Sequence, residues 1–125
     1  MDENVLANRV IGAVIEVHKY LGPSLMESAY HACLMHELEL GRLHFESEFS
    51  VVVDYKGLAV ADAYRVDLMV ENKLIVELKT VASLGDIHKA QLLTYLRLTK
   101  RKLGLLINFN ELLLKHGIQR VVNSL

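Results

Sequence analysis

The sequence is poor in the residues that staple, kink or anchor small proteins. Among its 125 residues are one cysteine, Cys33, one proline, Pro23, and no tryptophan. A single thiol cannot close an internal bridge, which excludes a disulfide-built fold and suits a reducing, cytoplasmic setting. No Pro/Gly/Ser-rich linker, repeat or low-complexity tract interrupts the chain, so residues 1–125 are expected to form a single domain. Charge of one sign is also missing: 14 Lys and Arg stand against 15 Asp and Glu, a formal net of -1. That balance excludes a general attraction to phosphate backbones, and any nucleic-acid contact must come from local groups. The only basic cluster, Lys100-Arg101-Lys102, reads as the solvated end of a helix. Charges break every apolar stretch long enough to span a bilayer, and the opening residues lack the basic and apolar regions of a leader. No membrane partner and no signal peptide are expected. What is abundant is apolar material: 52% of residues are hydrophobic, enough for a core without metal or disulfide support.

Hydrophobic spacing orders the chain. Val10, Ile11, Val14, Ile15 and His18 recur at helical intervals within about Asp2 to Tyr20, and Leu21-Gly22-Pro23 is a helix stop. A second helix is expected from near Ser24 to Leu40, with Leu25, Ala29, Ala32, Cys33 and Leu34 as its apolar positions. From His44 the period changes to strand, to Tyr55; Lys56-Gly57 reads as a turn, and Leu58 to Tyr64 as a continuing meander. Arg65 to Val70 and Leu74 to Thr80 read as a hairpin around Glu71-Asn72-Lys73. A helix from Gly85 to Lys100, a strand from Leu103 to Phe109 and a short strand from Ile118 to Val122 complete the order ααβββαββ. The expected fold class is α/β or α+β around one sheet.

The hairpin carries the chemistry. Alternation sets Asp67 on one strand face and Val66, Leu68 and Val70 on the other; Glu77 and Lys79 share a face opposite Val76 and Leu78. A three-residue loop pairs Val70 with Leu74 and, counting back, brings Asp67 opposite Glu77. Two carboxylates across a ladder repel, and a divalent cation would remove that repulsion. The competing explanation is a surface charge ladder of Arg65 with Glu77 and Asp67 with Lys79, which contributes little stability. A short acidic pattern alone matches by chance often enough to leave both readings open. On the next helix Gln91 and Tyr95 lie four residues apart on one face, with Ala90, Leu93 and Leu96 available for packing. His88, a turn earlier, reads as a capping or surface residue or as an addition to the site.

Gly22 to Tyr30 (GPSLMESAY) resembles the signature of the GxxExxY proteins, a branch of the PD-(D/E)XK nuclease superfamily. The likeness continues through Tyr64-Arg65-Val66-Asp67, Ile75 to Lys79, His88 to Leu96, Gly104 to Phe109 and Arg120 to Asn123, and so covers essentially the whole chain. Ser24 departs from it by standing where the name-giving glycine belongs. The resemblance implies a restriction-endonuclease-like core, a mixed sheet flanked by helices, and metal-dependent hydrolysis of DNA. It further implies Asp67, Glu77 and the Leu78 backbone carbonyl as ligands of Mg²⁺ or Mn²⁺, with Lys79 orienting the attacking water. Gln91 and Tyr95 would support the substrate or Lys79. Glu27 divides two ways: Ser24-Leu25-Met26-Glu27 has the form of a capping box, whereas the resemblance implies an added ligand from the early helix. A non-catalytic binding module on the same fold, an RNA phosphodiesterase, and a homodimer or protein partner to help grip DNA are the alternatives to a lone DNA nuclease.

Overall fold

The computed structural model describes residues 1–124. Helices α1 (Glu3–Leu21) and α2 (Glu27–Leu40) are followed by β1 (Phe45–Tyr55), β2 (Leu58–Val70), β3 (Leu74–Lys79), α3 (Asp86–Thr99), β4 (Leu103–Asn108), a 3-10 turn (Leu114–Gly117) and β5 (Ile118–Val122). The expected order ααβββαββ is the observed one. The five strands form one sheet in chain order. Every neighbouring pair is antiparallel except β3 and β4, which are parallel and need the crossover that α3 provides.

Two clusters of buried side chains cover the two faces. Against one face α1 and α2 pack Leu6, Val10, Val14, Tyr30, Leu34 and Leu38 onto Leu68, Val70, Leu74, Val76 and Leu78. Against the other, α3 packs Leu92, Tyr95 and Leu96 onto Val66, Met69, Ile75 and Leu106. Gly104 lets α3 come close, since a Cβ there would meet the Leu92 side chain at 2.9 Å. The helical faces differ in detail from their spacing. Ile15, Leu25, Ala32 and Ala90 are exposed, whereas Val17, Leu38, Leu92 and Tyr95 are buried. Periodicity gives the stripe's repeat, but the neighbours decide its exact rotation.

Helix α2 starts three residues later than Ser24. Met26 is its N-cap, with no side-chain cap bond, so the expected capping box of Ser24 and Glu27 does not form. Ser24 instead takes a left-handed backbone conformation, φ 77°, which favours glycine. The turn is held by Tyr30, stacked on Phe109 with centroids 4.3 Å apart. Its hydroxyl donates to the Gly22 carbonyl and accepts from the Leu25 amide. With the capping role gone, Glu27 is free to face the sheet.

The long hairpin of β1 and β2 projects past β3, and Leu58 to Tyr64 is part of one continuous strand with Arg65 to Val70. Its turn, Lys56-Gly57, has positive φ at both residues, the twist that tight hairpins favour.

Candidate active site

Val70 pairs with Leu74 as expected, followed by Met69 with Ile75 and Leu68 with Val76. There the ladder ends. One residue further, side chains replace backbone pairing: the Asp67 amide donates to Glu77 Oε1 at 3.0 Å, and the Leu78 amide donates to Asp67 Oδ2 at 2.7 Å. The two acids therefore meet between the strands, Glu77 holding the Asp67 amide and Asp67 holding the amide of Leu78, the residue after Glu77. In an extended chain a residue's amide and carbonyl point to the same side, so the Leu78 carbonyl also faces β2.

Alternation fails at this level, and the failure builds the site. Leu68 and Val70 face α1 and α2, but Val66 packs on the α3 side, which corrects the expectation that all three share a face. On β1, Phe45 packs towards α1 and α2, whereas Phe49 and Val51 pack towards α3. Both strands switch faces at one level, where Glu48 would oppose Asp67 and where the ladder between Ser47–Leu68 and Phe49–Val66 is interrupted. Glu48 is left-handed, φ 54°, a conformation that breaks strand alternation. The result is a gap in the sheet into which groups from both faces reach.

Five ionisable side chains surround Asp67. Glu77 is 6% exposed, and burial, then the Asp67 charge, push its carboxyl from 4.5 up to about 8. Glu27 is also raised, first by burial and then by Asp67, with Lys79 and His31 opposing the shift. His31, one turn after Glu27 on α2, places Nδ1 3.9 Å from Glu48 Oε1. His31, Glu48 and Asp67 each offer a ligand atom within 4.8 Å of the others. Lys79 is half-buried on the same face as Glu77. Among the described residues neither Arg65–Glu77 nor Asp67–Lys79 forms an ion pair, so the surface charge ladder is not the explanation of this pattern.

Tyr95 and Gln91 divide. Tyr95 is buried, and its hydroxyl is pushed up by desolvation, then by Glu77, Tyr64 and Asp67. Gln91 is exposed and lines a pocket beside it. His88 Nδ1 accepts the Gly85 amide at 3.0 Å, a capping contact at the start of α3. Asn108, fully buried, pairs with Lys79 in the parallel ladder and exchanges two hydrogen bonds with the Val81 backbone. It thereby fixes the end of β3 that carries Lys79.

His31, Glu48 and Asn108 escaped the sequence reading. Only His31 left a signal, its four-residue spacing from Glu27 along one helix face.

The donor set fits a hard divalent cation. Carboxylates and a carbonyl are the oxygen ligands that such ions take, and Lys79 only partly offsets a buried acid beside a second acid, since the Glu77 carboxyl stays raised.

A family model of the PD-(D/E)XK nuclease superfamily matches residues 4–121. No curated protein matches. Among solved structures, the one described as the crystal structure of SSO0001 is similar over 79% of this chain, with TM-score 0.61 and 23% identity. The likeness is one of fold, and this chain spans about half (51%) of that one.

Proposed function

The chain belongs to the PD-(D/E)XK nuclease superfamily, and on that premise we propose that it is a divalent-metal-dependent nuclease hydrolysing phosphodiester bonds of DNA. The observation that carries this reading is the acid pair itself, with Glu77 buried and holding the Asp67 amide while Asp67 holds the Leu78 amide. Asp67, Glu77 and the Leu78 carbonyl would hold Mg²⁺ or Mn²⁺, and Glu27 would join them from α2. The imidazole of His31, beside Glu48 and Asp67, tilts the preference towards a transition ion such as Mn²⁺. When bound, such an ion lowers the pKa of coordinated water and offsets charge on the phosphate.

The chain's own groups do the rest. Lys79 brings an ammonium to the scissile phosphate and orients the attacking water, and its strand end is held by Asn108. Tyr95 closes the α3 side of the site, where the raised hydroxyl stays protonated and donates. Gln91 contacts the substrate beyond it. The GxxExxY branch is supported at Ser24, whose positive φ is the conformation that a glycine at that position would serve.

The test is cleavage of single- and double-stranded DNA across a Mg²⁺ and Mn²⁺ titration, beside Glu77→Ala and Lys79→Ala. Metal-dependent cleavage lost in both variants supports the nuclease. Absence of cleavage with either metal, or full activity in both variants, favours a binding module on a nuclease fold. RNA in the same assay separates a ribonuclease.

A further inference from the structure

A pocket of about 500 Å³ lies between the β1–β2 hairpin and α3, lined in part by Val53, Tyr64, Ile87, Gln91, Tyr95 and Leu98. Its size is that of sites for small ring-bearing ligands. Two aromatic rings belong to it, Tyr64 and Tyr95, with centroids 5.9 Å apart and planes tilted by 49°. Tyr64 is 50% exposed and Ile87 75% exposed, so apolar and aromatic surface is left in contact with water at its mouth. Gln91 offers an amide with two donors and an acceptor, enough to read a polar ring edge. Arg97 is exposed on α3, about one helical turn after Thr94, another lining residue.

The pocket and the acid pair share one residue. Tyr95 is common to both, since it lines the pocket and lies within the electrostatic reach of Glu77 and Asp67. Tyr64 precedes Asp67 by three residues of strand, about 10 Å of extended chain.

We infer that this pocket receives an unpaired nucleobase, stacked on Tyr64, from a nucleotide next to the phosphate at the acid pair. The inference rests on the nuclease reading and narrows it: the strand must be single or locally opened, because a paired base cannot leave its stack without cost. Aromatic stacking tolerates any base, and Arg97, a turn along α3 from the lining, would meet the backbone.

The experiment is fluorescence anisotropy of the full chain, with Ca²⁺ replacing Mg²⁺. The probes are labelled oligothymidylate, an abasic strand of equal length, and the oligothymidylate–oligoadenylate duplex. Oligothymidylate is expected to bind roughly tenfold tighter than the abasic strand, with the duplex no better than abasic. Tyr64→Ala should bring oligothymidylate down to the abasic level, and Tyr64→Trp should restore it; melting curves verify that both variants fold. An oligouridylate probe reports whether RNA bases are accepted equally. Equal binding of thymidylate and abasic strands, no binding of any probe, or a Tyr64→Ala variant with unchanged preference overturns the inference. Cleavage assays with Mn²⁺ on the same strands separate the two claims. Cleavage without base preference leaves the nuclease standing and removes the pocket, and base-dependent binding without cleavage does the reverse.

Discussion

The two ends of the β2–β3 hairpin are built from the same strands and do opposite work. Near the turn, Val70–Leu74 to Leu68–Val76 form regular rungs whose side chains are entirely buried. One residue further, the rungs stop, and Asp67 and Glu77 spend their carboxylates on backbone amides. The first end stabilises through burial, about 25 cal/mol per Å² of apolar surface removed from water. The second costs stability, because a carboxyl as buried as Glu77 beside another acid must either keep a proton or find a cation. The contrast teaches that the site is grafted onto a hairpin already secured at its other end. The strands can part at Asp67 because they are held at Leu68.

The sharpest way to break this comparison is to remove one acid. Glu77→Ala should lower the proposed nuclease activity on the order of a thousandfold, about 4 kcal/mol of barrier, while leaving the metal-free fold as stable as before or more so. Retention of most cleavage would remove the site from the acid pair. The mirror experiment is Leu68→Ala, on the secured end, where the loss falls on stability instead: about 2–5 kcal/mol in urea unfolding. An effect below about 1 kcal/mol would mean that the rungs do not carry the hairpin.

A third prediction uses protons. In the folded, metal-free chain Glu77 keeps its proton up to about pH 8, against 4.5 as its ordinary value. Between these values the folded state binds the extra proton, so its stability should fall as pH rises through the window and be fully present below it. Glu27, also raised, acts in the same direction. Glu77→Gln should flatten the slope, and Mn²⁺ should oppose it, because a metal ligand must be deprotonated. A metal-free melting temperature that climbs from pH 5 to pH 8 would contradict the assignment. The smallest effect extends the comparison to the α1–α2 turn: Ser24→Gly should raise stability by up to about 1 kcal/mol by relieving the left-handed φ. A destabilised variant would show that the serine side chain itself contributes there.

Much of the fold was legible in spacing. The element order and the hairpin register follow from hydrophobic period and turn residues; that β3 and β4 run parallel was seen only in the structure. The faces of the elements followed less well. Tyr95 read as one of a polar pair, yet it is buried against Met69 and Ile75, because α3 approaches the sheet closely where its Leu92 meets Gly104 of β4. Ser24 and Glu27 read as a cap, yet Tyr30 and Phe109 impose a turn that starts α2 at Glu27. In both places a local preference yields to a contact many residues away, and local spacing cannot report such a contact.

From its own order of residues, this chain determined an α/β sheet and the placing of an Asp and a Glu-x-Lys on adjacent strands. Those are local matters of period and turn chemistry. Only the tertiary structure decided that β1 and β2 would switch faces at Glu48 and Asp67. It likewise decided that His31 would arrive from α2 and that a pocket would open beside Tyr95. The physical reason is that an interrupted rung is stable only when both strands are secured elsewhere, by packing against helices on each face of the sheet.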